Sequence, residues 1–104
     1  MPVMHLTPEH AHNLRTILRT HLPNIPLTVF VFGSRAGKSP RLDSDLDLLI
    51  DAQEALPLST VSSLKEALEE SNLPFRVDVV CRTNVSPEFY QKIKADLIPL
   101  WSVD

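Results

Sequence analysis

The sequence predicts a fold of the α/β (or α+β) class, in which a small β-sheet is flanked by helices. Apolar runs rich in β-branched and aromatic residues alternate along the chain with segments whose apolar residues recur every three or four positions. The order of these segments is helix, strand, loop, strand, helix, strand, helix, which suits a sheet covered by helices. With 104 residues and 43% hydrophobic residues, the chain is predicted to form one domain, spanning residues 1–104.

The first element is a helix with Thr7 as its N-cap residue. Pro8 suits the first helical position, because a backbone N–H there would lack a helical partner. The apolar stripe of this helix comprises Ala11, Leu14, Leu18 and Leu22. Pro23 ends the helix, since proline cannot continue it. The next segment, Leu27–Phe32, is apolar on both faces and is therefore predicted to be a central buried strand.

The middle of the chain contains a second strand and a second helix. The apolar run Leu46–Ile50 predicts the strand, and residues 51–57 are predicted to form a loop. Ser59 or Thr60 is expected to open the helix, which ends before Pro74. The residues expected on its core-facing side are Val61, Leu64 and Leu68.

The last third of the chain predicts a strand, a helix and a short terminal strand. Phe75–Cys81 alternates in polarity and is predicted to be the third strand. Ser86, followed by Pro87 and Glu88, is a strong N-cap signal for a helix running to about Ile98. The residues of this helix expected to face the core are Phe89, Ile93 and Leu97. Leu100–Val103 is predicted to be the terminal strand.

Composition and charge exclude several classes of protein. The net charge of -3 argues against an extended nucleic-acid surface, which needs a broad basic face. The single cysteine, Cys81, rules out an internal disulfide and suits a reducing cytoplasm. No apolar run approaches the ~20 residues that span a membrane, and the first residues lack the regions of a signal peptide. We therefore expect a soluble, cytoplasmic protein without a membrane association.

Three aspartates form a candidate metal site. Asp45 and Asp47 stand two residues apart at the start of the second strand, so their side chains leave the same face about 7 Å apart. Leu46 and Leu48 point the other way, into the core. Asp78 lies among valines in the third strand, where an unpaired charge would be costly, and a neighbouring second strand would bring it to the other carboxylates. Clustered carboxylates repel one another unless a cation binds them, and hard cations prefer oxygen ligands.

The turn after the first strand is a candidate phosphate-binding site. Gly33 allows the backbone to approach a phosphate closely, because it has no Cβ. Ser34 adds a hydroxyl group and an N–H group at the start of a short helix, where anions bind well. Arg35, Lys38 and Arg41 supply positive charge in the same loop. A plain turn with solvated basic residues is the alternative interpretation of this segment.

A P-loop is excluded by spacing, although the segment from Gly33 to Ser39 resembles one. The P-loop pattern has four residues between its glycines, whereas Gly33 and Gly37 enclose three. Pro40 also interrupts the long helix that must follow the lysine. The short interval between the two strands is too small for an ordinary helical crossover.

The segment from Gly33-Ser34 to Asp45-Leu46-Asp47 resembles the G-S-x10-D-x-D signature of the DNA polymerase β-type nucleotidyltransferase superfamily. The likeness is greatest to its small prokaryotic branch, the minimal nucleotidyltransferases (MNT), and extends over nearly the whole chain in length and element order. Asp78 falls where the superfamily has its third acidic residue. The chain departs from the branch at Gly37-Lys38, where Arg-Gly is common.

The resemblance implies a nucleotidyltransferase-like mixed sheet and a Mg²⁺-dependent transfer of a nucleotidyl group, AMP, from ATP to an acceptor. Two Mg²⁺ ions are implied, and the residues that would hold them and catalyse the transfer are Asp45, Asp47 and Asp78. The residues that would hold the phosphates of ATP are Gly33, Ser34, Arg35 and Lys38. Members of the branch are often paired with a helical HEPN-type protein as toxin and antitoxin, and some transfer AMP to a HEPN tyrosine.

Two alternatives to this function remain at the level of sequence. The first is a non-catalytic, antitoxin-like module that neutralises its partner by docking alone, which no feature of the sequence excludes. The second is a transferase acting on nucleic acid, for which 104 residues leave little room for a binding domain. The sequence leaves open the acceptor, the nucleotide preference and the oligomeric state.

Overall fold

The computed structural model describes residues 6–33 and 45–103, which form helices and strands in the predicted order. The helices are α1 (Pro8–His21), α2 (Leu58–Glu69) and α3 (Pro87–Ile93). The strands are β1 (Leu27–Phe32), β2 (Leu46–Ala52), β3 (Val77–Cys81) and β4 (Ile98–Val103). Short 3-10 turns occupy Arg82–Asn84 and Lys94–Asp96. Within the described residues, no helix has the length and apolarity needed to cross a membrane.

The four strands form one mixed sheet in the order β3-β2-β1-β4. Strand β1 pairs antiparallel with both β2 and β4. Strand β3 pairs parallel with β2, and α2 makes the crossover between them. The prediction of a mixed sheet flanked by helices is thus confirmed, and β2 and β3 are neighbours as the candidate metal site requires.

The main core lies between one face of the sheet and the two longer helices. Thr7 caps α1 by accepting a hydrogen bond from the backbone N–H of His10 at 3.1 Å. All four residues of the predicted α1 stripe are buried, with Leu14 and Leu18 at 0% exposure. Leu64 and Leu68 of α2 are buried in the same cluster. Full burial of each leucine contributes about 1.5–3 kcal/mol, so this packing fixes which face of the sheet α1 and α2 cover.

Strand β2 is longer than predicted. It continues to Ala52, because Ala52 pairs with Leu27 and Asp51 with Thr28 of β1. The prediction that the loop begins at residue 51 is therefore wrong, since antiparallel pairing along the full length of β1 extends β2 by two residues. Strand β3, at the edge of the sheet, is shorter than predicted. It begins only at Val77, so Phe75 precedes the strand.

Helix α2 begins earlier than predicted. Its first residue is Leu58 and its N-cap residue is Pro57, with no side-chain hydrogen bond at the cap. The prediction of Ser59 or Thr60 as the opening residue is wrong, because both hydroxyl residues lie within the first turn of the helix. Val61 is only partly buried, whereas the other two predicted core residues of α2 are buried.

Helix α3 differs most from the prediction. Ser86 caps it as predicted, by accepting a hydrogen bond from the N–H of Phe89. The helix ends at Ile93, however, because Ile98 is already buried in β4 and paired with Val31. The prediction that Phe89, Ile93 and Leu97 face the core is also wrong, since α3 contains no buried residue and Leu97 is only partly buried.

Candidate active site

Strand register brings two of the predicted aspartates side by side. Asp47 of β2 pairs in register with Asp78 of the parallel strand β3. Leu46 and Leu48 are fully buried in the core, so the alternation of side chains places Asp47 on the opposite, open face of the sheet. Asp45 immediately precedes β2 and is exposed. The structure therefore groups the aspartates at one end of the two strands.

The aspartates also interact electrostatically. The pKa of the Asp47 carboxyl group is raised above its ordinary value, mainly because the group is partly buried. The charges of Asp78 and then Asp45 raise it further. The two neighbouring acids disfavour the ionised form of Asp47. A cation bound beside them would stabilise that charged form. Oxygen ligands of this kind suit Mg²⁺, so the residues present fit such an ion chemically.

The three carboxylates are not arranged in advance as a complete metal site. Among residues 6–33 and 45–103, no group of three or more His, Cys, Asp or Glu side chains is placed so that it could hold a metal ion. Asp78 instead lies 3.6 Å from the Nε of Arg76, and both side chains are substantially exposed. An exposed ion pair of this kind is worth only about 0–1 kcal/mol. Little energy is therefore needed to turn Asp78 toward Asp47.

Gly33 joins this site through its backbone. It follows β1 with a φ of 80°, a left-handed conformation that residues with a Cβ rarely adopt. A Cβ built on Gly33 would overlap the Oδ2 atom of Asp47. The turn therefore lies directly against the central carboxylate, and a side chain at this position would be strained by the backbone conformation and would displace the carboxylate.

The remaining residues of the predicted phosphate site lie outside the described part of the chain. These residues are Ser34, Arg35, Lys38 and Arg41. Their roles stay predictions that follow from the sequence and from the position of Gly33.

A groove of about 910 Å³ runs past the aspartates and around the edge of β3. Asp47, Asp78, Phe32 and Phe89 line it on the open face of the sheet. Phe89 was not predicted as a site residue, because the spacing of apolar residues in α3 indicated a core-facing side chain. Apolar spacing does not indicate which face of a sheet a helix covers, so the sequence offered no signal for this role.

Arg82 is a second residue that the sequence did not indicate. Its guanidinium carbon lies 3.4 Å from the ring centroid of Tyr90 in α3. Its Nη1 atom lies 4.0 Å from Oδ2 of Asp51 in β2. Arg82 thus links α3 to the sheet through a cation–π contact and a long ion pair. This link holds α3, and with it Phe89, beside the aspartates.

Comparison with known proteins identifies relatives of the chain. The polymerase β nucleotidyltransferase family matches residues 12–104. A curated protein from Haemophilus influenzae, named probable protein adenylyltransferase MntA, is 40% identical over 81 residues, which cover 78% of this chain and 69% of that protein. This identity is high enough to indicate common family membership.

Two solved structures share the fold. A toxin–antitoxin structure with AMP-PNP has a TM-score of 0.72 and 24% identity, covering 90% of this chain and 74% of that chain. A Shewanella oneidensis structure, a tri-AMPylated HEPN toxin in complex with an MNT antitoxin, has a TM-score of 0.65 and 24% identity, covering 88% and 68% of the two chains. At these identities the likeness shows the fold, which is the nucleotidyltransferase-like fold that the sequence predicted.

Proposed function

The chain belongs to the polymerase β nucleotidyltransferase family, and we propose that it transfers AMP from ATP to a hydroxyl group of a partner protein. Family membership makes the chain a nucleotidyltransferase. The name of the H. influenzae relative supports AMP as the transferred group and protein as the acceptor. The AMP-PNP structure supports an adenosine triphosphate donor, and the AMPylated HEPN toxin supports a HEPN-type protein as the partner.

The observation that carries this proposal is that Asp47, Asp78 and Gly33 lie next to one another on the sheet. Asp47 has Asp78 beside it on β3 and the backbone of Gly33 against its carboxylate. The carboxylate proposed to bind Mg²⁺, a second acid and the glycine proposed to bind phosphate are therefore adjacent. That combination suits phosphoryl chemistry, in which positioning and charge stabilisation supply most of the catalysis.

The reaction is an in-line displacement at the α-phosphorus of ATP. The acceptor oxygen forms a bond to that phosphorus, and the bond to the oxygen that bridges the α- and β-phosphates breaks, so that pyrophosphate leaves. Asp78 accepts the proton of the acceptor hydroxyl group. Asp45, Asp47 and Asp78 would hold two Mg²⁺ ions, whose positive charge would stabilise the attacking and leaving oxygens.

The phosphate tail of ATP is assigned to the turn after β1. The N–H of Gly33 would donate to the β- and γ-phosphates, and Ser34, Arg35 and Lys38 would supply the other donors. Support comes from the left-handed glycine beside Asp47 and from the family signature that begins at Gly33-Ser34. Within this assignment, the leaving pyrophosphate lies toward β1 and the acceptor lies toward β3.

The test is to replace Asp47 with asparagine and measure AMP transfer from ATP, with Mg²⁺, to a co-purified partner by intact mass. Asp47→Asn keeps the size of the side chain but removes the charge, and we expect transfer to be abolished while the fold is retained. Asp96→Asn is the matched control, because it makes the same chemical change at an exposed residue of the Lys94–Asp96 turn that does not line the groove. Full transfer by a folded Asp47→Asn protein would refute the proposed site.

One observation favours a second function, a non-catalytic antitoxin-like module that binds its partner. The three carboxylates are not arranged as a ready metal site in the part of the chain that the structure describes. Neutralisation of the partner separates the two functions. Docking alone is the function if Asp47→Asn protects cells from the partner as well as the wild-type chain does, and if neither protein places AMP on the partner.

A further inference from the structure

We propose that Phe89 is the platform on which the adenine base of ATP stacks. This inference rests on the proposed function, because it assigns the nucleoside part of the ATP that the aspartates and the Gly33 turn would hold. It adds a binding residue that neither the family signature nor the acidic group contains.

The exposure of Phe89 is the first observation. Within residues 6–33 and 45–103, the large hydrophobic side chains that stay exposed are Leu58 and Phe89, at 82% and 38%. Leu58 is the first residue of α2 and does not line the groove beside the aspartates. Phe89 does line it, together with Asp47 and Asp78. An aromatic ring is therefore held open to solvent within the candidate active site.

The support beneath Phe89 is the second observation. Its ring meets the ring of Phe32 edge-to-face, with the centroids 5.9 Å apart and the planes at 84°. Phe32 is 8% exposed and is the register partner of Asp47. The aromatic pair is thus anchored one strand away from the central carboxylate. Arg82 and Tyr90 hold the rest of α3 in place.

The direction of the reaction decides which part of the substrate meets Phe89. Under the proposed function, pyrophosphate would leave toward the Gly33 turn after β1 and the acceptor would approach beside Asp78 on β3, so both would lie along one line across the sheet. The nucleoside is attached through one of the three equatorial oxygens of the α-phosphorus in this displacement, so it leaves that line sideways. Phe89 offers no charge and no hydrogen-bond donor for a phosphate group, whereas a base can stack on its ring. Such stacking is worth about 1–3 kcal/mol per base.

Calorimetric titration of the full chain with Mg²⁺-ATP and with Mg²⁺-tripolyphosphate tests the proposal. Tripolyphosphate has the phosphate tail but no base. We expect Phe89→Ala to weaken ATP binding by about tenfold, within the stacking range, and to leave tripolyphosphate binding unchanged. Phe89→Tyr keeps an aromatic face and should restore ATP binding, whereas Phe89→Leu, which keeps only apolar volume, should not. Leu58→Ala is the control for loss of an exposed hydrophobic side chain.

The outcomes separate this inference from the function on which it rests. Unchanged ATP affinity in Phe89→Ala overturns the platform alone. Equal weakening of ATP and tripolyphosphate binding also overturns it, because the ring would then act on the shape of the whole site. Equal affinity of the wild-type chain for ATP and for tripolyphosphate overturns it as well, because the base would then add nothing to binding. A wild-type chain that binds neither ligand refutes the proposed function and the platform together.

Discussion

Replacement of Gly33 by alanine should inactivate the enzyme at a modest cost in stability. The new Cβ would overlap Oδ2 of Asp47 and lie 3.3 Å from its Cγ. Because the overlapping atom is the end of a side chain, the carboxylate can move away while the strand stays in place. The conformational cost comes from the backbone, since alanine would have to adopt a φ of 80°.

The two costs have different magnitudes. Holding a residue with a Cβ in the left-handed region costs about 1–2 kcal/mol, which lowers the Tm of a small domain by about 4–8 °C per kcal/mol. Relief of the overlap moves the Asp47 carboxylate on the order of 1 Å, and a misplacement of that size can cost about 10²-fold in rate. We therefore expect a folded protein with severely reduced transfer.

Gly33→Asn separates the conformational cost from the steric one. Asparagine tolerates left-handed backbone better than alanine does, but it places the same Cβ against Asp47. Urea unfolding should show Gly33→Asn to be more stable than Gly33→Ala, while the initial rate of AMP transfer stays low in both variants. Recovery of transfer in Gly33→Asn would show that the carboxylate is not displaced, and the steric reasoning would be wrong.

Three further predictions concern charge and the support of α3. Asp47→Asn should raise the Tm at neutral pH. The folded-state pKa of Asp47 is raised, so the stability that this carboxyl group contributes is present below its unfolded pKa and is lost as pH rises through the folded pKa. In thermal melts from acid to neutral pH, the Tm values of the wild-type and Asp47→Asn proteins should therefore converge in acid. Mg²⁺ should raise the Tm of the wild-type chain and not that of Asp47→Asn, since only a ligand that binds the folded state stabilises it; a titration of Tm against Mg²⁺ measures this difference. Arg82→Ala should cost about 0.5–1 kcal/mol through the lost contact with Tyr90, measured by urea unfolding, with Arg76→Ala as the exposed control.

Local sequence patterns correctly predicted β1 and the start of α1, which contribute many of the buried core residues. The bounds of β1 and the cap of α1 were correct, because an apolar strand and a Thr-Pro helix start are local signals. The adjacency of Asp47 and Asp78 was also predicted, but the expected cost of a charge among valines does not apply, because Asp78 is exposed on the edge strand β3 and pairs with Arg76. The end of β2 could not be predicted, because its last residues are strand only through pairing with β1.

The position of α3 depended on tertiary structure that periodicity does not contain. Phe89 has the spacing of a core residue, yet it lies on the open face of the sheet against Phe32. Both faces of a sheet accept apolar side chains, so spacing alone could not choose between them. The roles of Ser34, Arg35 and Lys38 also stay predictions, because these residues lie outside the described part of the chain.

The stability of the chain and its proposed chemistry make opposite demands on Asp47. Leu46 and Leu48 are fully buried on either side of it along β2, so the strand cannot move Asp47 away from Asp78 without removing both leucines from the core. Burial and two neighbouring acids then make its ionised form unfavourable. A bound cation would reverse that penalty, whereas an amide would remove it. The packing of β2 therefore holds an ionisable group where it destabilises the free protein, and the cation binding that we propose would offset this cost.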